Sequence, residues 1–300
     1  MPPKNSHITS TVGPWAKQKL NGLQAYLHAY TTALKKTSFE LIYIDGFAGT
    51  GSSMVRNAPN MENSHNLELL GEDEDFVVDR GNFIEGSPRR ALNLELPFDR
   101  YFFFDTDVSR VDLLDNLKTE FPDRKIIVDT GDANDLICKL MPQIGQGSTR
   151  GVAFLDPYGP HVEWRTLEAL GKTGKFEAII NFPLGMAINR LITIQSEDIP
   201  DNWRAMLDKC FGSNEWESLV YEQQSGFFYD ETVKVSNASQ RLLDHYIKNL
   251  KKVFKYVSTP SLVKNTQGAP LYYMIWVGPH SLGLKIADYI LKKGELINPP

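Results

Sequence analysis

Five short apolar runs, separated by stretches with helical spacing, constrain this chain more than any other feature. They are Phe39–Asp45, Arg100–Asp105, Lys125–Val128, Gly151–Asp156 and Phe176–Asn181. Runs this continuously apolar suggest strands buried on both faces. The segments Ser109 to Phe121 and Trp164 to Gly171 read as helices between them. Strand and helix in alternation give βαβ units and an open, doubly wound, mostly parallel sheet. Four of the five runs end in, or are soon followed by, a carboxylate or an amide. That edge is where such sheets bind ligands.

The rest of the chain is arranged around this sheet as one domain spanning residues 1–300. Trp15, Leu20, Leu23, Leu27, Tyr30 and Leu34 fall on one stripe and predict a helix over about 14–36. Residues 52–85 form an acidic insert with the run Glu72-Asp73-Glu74-Asp75, either a solvated surface loop or a lid over a ligand. Ser87-Pro88 reads as a side-chain N-cap with proline at the first helical position. Residues 200–250 read as a mostly helical insertion. Phe254–Leu262 and Leu271–Val277 then predict two strands joined by a turn-rich connection, and Leu282–Lys293 a closing helix.

Composition excludes several classes. A hydrophobic share of 42% with 23% charged residues is that of a globular protein rather than a disordered or fibrous one. No apolar run approaches the roughly 20 residues of a membrane span, and the start Met1-Pro2-Pro3-Lys4 does not read as a secretory signal. Cys138 and Cys210 can make neither a disulfide framework nor a four-ligand zinc site, and the six histidines are scattered; a cytoplasmic, metal-free protein is expected. A net charge of −5 argues against gripping nucleic acid by bulk field, although basic residues gather at Lys35-Lys36, Arg89-Arg90 and Lys248–Lys255.

The most informative stretch is Asp45-Gly46-Phe47-Ala48-Gly49-Thr50-Gly51. Its glycines let the backbone turn tightly after a strand and approach a ligand closely. The spacing G-x-x-G-x-G is neither a P-loop nor the dinucleotide fingerprint. An acid before such a turn suits a ligand with a cationic amino-acid end beside a nucleoside, of which S-adenosylmethionine is one. Asp105 could accept bonds from both ribose hydroxyls, with Asp107 two residues on as an alternative or as a helix N-cap. Asp132, in Gly131-Asp132-Ala133-Asn134, is either an acceptor for the adenine amino group or a turn acid. Asp156-Pro157-Tyr158-Gly159 places an acceptor, a backbone carbonyl and a flat ring together, a set that could hold an exocyclic amine for methyl transfer. The alternative is a strand-end turn with a packed tyrosine. His161 and Trp164 read as structural, and Asn181-Phe182-Pro183-Leu184 as pocket wall.

These residues resemble a class I S-adenosylmethionine-dependent methyltransferase, and more narrowly the three-Cys-motif partner protein family. The resemblance rests on YIDGFAGTG (43–51), EGSPRRAL (85–92), FFFDTD (102–107), GDAND (131–135), FLDPYG (154–159) and INFPLGMAINR (180–190), in that order. It implies a Rossmann-like, mostly parallel seven-stranded sheet with an antiparallel C-terminal hairpin. Within it, residues Asp45 to Gly51 would hold the methionine end, Asp105 the ribose, and Asp132 with Ala133 the adenine. Asp156, Pro157 and Tyr158 would carry catalysis, since DPYG is similar to the D/N-P-P-Y element of exocyclic-amine methyltransferases, from which it departs after the first proline. The resemblance also implies a protein partner bearing a three-cysteine motif, and leaves a nucleic-acid base as the acceptor. The alternative is a non-catalytic module of the same fold serving that partner; a nicotinamide oxidoreductase is disfavoured by the glycine spacing.

Overall fold

The computed structural model describes residues 10–12, 14–55, 83–225, 230–265 and 267–293. The first nine residues and the acidic run at 72–75 lie outside the described residues. The chain begins with β1 (Ser10–Val12), α1 (Pro14–Leu34), β2 (Glu40–Asp45), β3 (Ser52–Val55), β4 (Phe83–Glu85) and α2 (Ser87–Leu92). It continues through β5 (Arg100–Asp105), α3 (Val108–Asp115), α4 (Leu117–Glu120), β6 (Ile126–Thr130), α5 (Ala133–Ile144) and β7 (Thr149–Leu155). Next come α6 (Trp164–Thr173), β8 (Phe176–Phe182), a π-turn (Leu184–Ile188), α7 (Asn189–Leu191), α8 (Asp201–Phe211) and α9 (Glu215–Val220). The end comprises β9 (Tyr221–Ser225), β10 (Asp230–Lys234), α10 (Ala238–Val253), β11 (Tyr256–Val257), β12 (Ser261–Lys264), β13 (Pro270–Gly278) and α11 (Ser281–Lys293).

The central sheet runs β6-β5-β2-β7-β8-β13-β11, with β12 also on β13. Its first five strands are parallel and β13 is antiparallel to β8. This is the mixed α/β, mostly parallel sheet with an antiparallel hairpin that the sequence predicts. Alternation along each strand sends side chains to two cores. Ile42, Ile44, Phe104 and Leu155 pack beneath α5, α6, α8 and α10. Tyr43, Phe103, Phe154 and Ile179 pack beneath α1, α2 and α11. From α1 the residues Leu20, Leu23, Leu27 and Tyr30 of the predicted stripe are all buried, and Tyr26 joins them.

Five expectations are corrected. The sheet has eight strands rather than seven, because the stretch predicted as one strand divides into β11 and β12, each paired with β13. Pro260 lies in the gap and has no N–H to give a ladder. The stretch 200–250 also holds the antiparallel pair β9–β10, and the acidic insert is flanked by β3 and β4, with β3 pairing with both β4 and β1. The predicted helix 109–121 breaks at Asn116, a residue that competes for backbone bonds. Finally, Gly86 rather than Ser87 is the N-cap of α2, without a side-chain bond.

Close strand packing depends on one missing side chain. A Cβ at Gly151 would stand 2.2 Å from the Phe176 ring and 2.7 Å from the Ile42 carbonyl oxygen. Gly151→Ala is therefore expected to destabilise the fold by about 1–3 kcal/mol. Urea unfolding should show a lower midpoint at unchanged m-value. A wild-type midpoint would contradict this reading of the β2–β7–β8 core.

Candidate functional site

Register explains how residues far apart in sequence meet. Asp45 closes β2 opposite Phe103 of β5 and Phe154 of β7. Asp105 and Asp156 each lie two residues beyond those partners. With a period of two, Asp45 and Asp105 share the face of Tyr43 and Phe103, the face covered by α1. The three carboxylates thus collect at the C-terminal rim of the sheet.

Their surroundings differ. Asp45 is fully buried; its Oδ2 accepts from the Tyr43 hydroxyl at 3.2 Å, and its Oδ1 has no hydrogen-bond partner. Burial pushes its carboxyl up to about 7. The Ser87 hydroxyl opposes that rise, the charge of Asp156 adds to it, and the Tyr43 hydroxyl and Phe47 amide oppose it. Ser87 thus faces the site acid instead of capping α2. Asp105 is also buried and accepts from the Gly49 amide and the Asp107 amide, each at 2.9 Å. Asp107 caps α3 by accepting from the Ser109 and Arg110 amides.

The glycine turn is fastened to its neighbours by backbone bonds, Gly46 N–H to the Phe154 carbonyl at 3.0 Å and Ala48 N–H to that of Phe104 at 2.9 Å. A Cβ on Gly46 would crowd Leu155, Ile137 and Ala133. Gly49 and Gly51 adopt φ of 61° and 73°, which favour glycine. A Cβ on Gly49 would meet nothing within 4 Å, so the space above the turn is open. Phe47 is partly buried against the core, while Ala48 and Thr50 are buried.

Asp132 is exposed and caps α5, its Oδ1 accepting from the Asn134 and Asp135 amides. Ala133 is buried behind Gly46. Asn134 does what the sequence reading missed. Its Nδ2 donates to the His161 carbonyl, and its Oδ1 accepts from the Glu163 amide and the Thr166 hydroxyl, at 2.8–2.9 Å. It thereby fixes the loop that follows β7.

At Asp156 the structure adds three residues. Lys19 of α1 forms a salt bridge with Oδ2, and Asn181 Nδ2 donates to Oδ1 at 2.6 Å. The Lys19 ammonium also lies 5.3 Å from the centroid of the Tyr272 ring. The Asn181 Oδ1 and the Tyr272 hydroxyl are buried without partners. Pro157 is buried, and Tyr158 is 64% exposed. Nothing in a lysine 137 residues upstream signals this pairing in sequence. Asn181, by contrast, was visible as a strand-end amide. The Arg89-Arg90 pair is occupied within the fold: Arg89 pairs with Glu120, and Arg90 donates to Glu85, Asn21 and Gln24.

No family model and no curated protein matches the chain. Among solved structures it is similar to a Legionella pneumophila protein of the DUF519 family, at 12% identity and a TM-score of 0.49 over 91% of this chain and 90% of that one. It is also similar to a spermidine synthase from Thermotoga maritima, at 10% identity and a TM-score of 0.39 over 91% of this chain and 62% of that one. Neither likeness assigns a function. Among the described residues no helix is long and apolar enough to cross a membrane.

The buried Asp45 makes a pH prediction. Its folded-state pKa is raised from 3.8 to about 7, so the native state holds a proton that the unfolded chain releases. Its contribution to stability is therefore present at low pH and lost as pH rises from about 4 through about 7. Asp45→Asn should gain stability relative to wild type between pH 4.5 and pH 7.5, read as the difference in urea midpoints. A difference that stays flat, or runs the other way, would contradict the burial argument.

Proposed function

We propose that the chain is a class I S-adenosylmethionine-dependent methyltransferase acting on nitrogen. The observation that carries this reading is the meeting of Asp45, Asp105 and Asp156 with the Gly46–Gly51 turn on one rim. The residues fit the cofactor. Asp45 offers an unpartnered buried oxygen to an ammonium group, and the open side of Gly49 admits a ligand against the backbone. Asp105 uses two of about four acceptor positions on backbone amides, which leaves capacity for ribose hydroxyls. Asp132 and Ala133 would face the adenine. When bound, S-adenosylmethionine supplies an electrophilic methyl group.

On this reading Asp156 and the Pro157 carbonyl hold the N–H groups of an acceptor amine, and the exposed Tyr158 ring stacks on its plane. Holding the nitrogen in this geometry directs its lone pair, and proximity provides much of the rate. Lys19 occupies the Asp156 position that the amine would take, so binding exchanges one N–H donor for another. A flipped nucleic-acid base is one planar amine that would suit Tyr158. The three-cysteine-motif protein implied by the resemblance would then be the partner that presents the substrate.

The engagement of both Asp156 oxygens favours a second reading, a methyltransferase fold that binds the cofactor and partner without turnover. Calorimetry with S-adenosylmethionine tests what the two share. Wild type should bind, and Asp105→Ala should bind about 10- to 150-fold more weakly, as expected for a charged hydrogen bond of about 1.5–3 kcal/mol. Absence of binding to wild type would contradict both. Transfer of labelled methyl to a cell extract, lost in Asp156→Ala, would select the enzyme; cofactor binding without transfer would select the module.

A further inference from the structure

A cavity of about 350 Å³ lies at the other end of the strands from Asp45, Asp105 and Asp156, between the C-terminal half of α1 and the start of α11. Leu34, Phe39 and Ile286 give it apolar walls. Its polar groups divide into two sets. Arg150, Lys175 and His280 supply positive or protonatable groups. Arg150 lays its guanidinium over the Phe39 ring at 4.2 Å and gives one N–H to the Thr149 carbonyl; Lys175 reaches the Gly147 carbonyl at 2.7 Å. Both contacts fix the cations while leaving further donors on each. The second set is buried: Glu177, 4% exposed, accepts from the Tyr26 hydroxyl, and Tyr30, 7% exposed, carries a hydroxyl with no hydrogen-bond partner.

Glu177 is out of place as core. It interrupts the apolar strand β8, and burial pushes its carboxyl up to about 7. Gly283 of α11 is what allows the helix to approach, since a Cβ there would meet the Trp276 ring at 2.6 Å and Glu177 Oε1 at 2.7 Å. The Trp276 indole N–H is buried on the same side and favours the charged form of Glu177. Buried polar groups are normally satisfied. Of the seven unpartnered side-chain atoms among the described residues, three belong to the candidate methyltransferase site. One more, the Tyr30 hydroxyl, lines this cavity. A sheltered apolar space with a few placed polar groups is the form of a small-molecule site.

We propose that this cavity is a second ligand site, for a small amphipathic carboxylic acid with an apolar or aromatic body. The anion faces Arg150, Lys175 and His280, the body lies against Leu34, Phe39 and Ile286, and a hydroxyl at the far end meets Tyr30 and Glu177. The site lies at the other end of the strands from Asp45, Asp105 and Asp156, and it does not depend on the chain being a methyltransferase.

Saturation-transfer NMR on the wild-type full chain with three probes tests the proposal: 4-hydroxyphenylacetate, phenylacetate and 4-hydroxyphenylacetamide. The hydroxylated acid should give the strongest transfer, phenylacetate less, and the amide little or none. Equal transfer from acid and amide, or none from any probe, would overturn the proposal without any variant having to fold. Ala33→Trp, which fills the cavity mouth from α1, should abolish transfer from 4-hydroxyphenylacetate, and Arg150→Gln should weaken it at least several-fold. Both variants should leave calorimetric binding of S-adenosylmethionine as it is in wild type. Retained transfer in Ala33→Trp would place the probe elsewhere and overturn the assignment.

Discussion

A carboxylate taken out of water needs donors around it or it keeps its proton, and this chain carries three of them to the ends of neighbouring parallel strands. Each is accommodated differently. Asp105 is answered by two backbone amides, one of them from the glycine turn, so the acid and the turn hold each other in place. Asp156 is answered by Lys19 and Asn181. Asp45 is answered least: it keeps one oxygen without a partner and leans toward the protonated form. An under-satisfied buried acid between two better-satisfied ones is an arrangement that costs stability, and such arrangements concentrate at functional sites.

The same constraint ties α1 to the rim. Lys19 reaches Asp156, while Asn21 and Gln24 of the same helix hold Arg90 of α2. Ser87, at the first turn of α2, faces Asp45. Helices α1 and α2 therefore do more than cover one face of the sheet; their polar edges finish the site. The opposite face, under α5 and α6, contributes position rather than chemistry. There Asn134 fixes the path of the chain after β7, and Ala133 backs Gly46.

Much of this was legible in sequence because the periodicities are local. Continuous apolar runs marked the five parallel strands, and the strand-end acids followed from them. What escaped was set by contacts between distant segments. The salt bridge of Lys19 joins residues 137 apart, and no spacing in α1 distinguishes that lysine from a solvated one. Ser87 looked like an N-cap because Ser-Pro opens many helices, yet the tertiary position of Asp45 claimed its hydroxyl. Sequence shows the charge of Arg89 and Arg90 without showing the partners they hold in the fold, Glu120, Glu85, Asn21 and Gln24. The β9–β10 pair escaped because Tyr-Glu-Gln-Gln-Ser has no strong strand pattern and gains its pairing from the fold around it. Glu177 sat unnoticed inside an apolar strand whose pattern was otherwise complete.

The central claim is the proposal that the open side of the Gly46–Gly51 turn, beside Asp105, seats a nucleoside cofactor. The most direct measurement is a crystal structure of the chain grown with S-adenosylhomocysteine. The account predicts density against the Gly46–Gly51 turn, with ribose hydroxyls on Asp105 and the sulfur directed toward Asp156. Density elsewhere, or an empty rim at saturating ligand, would contradict it.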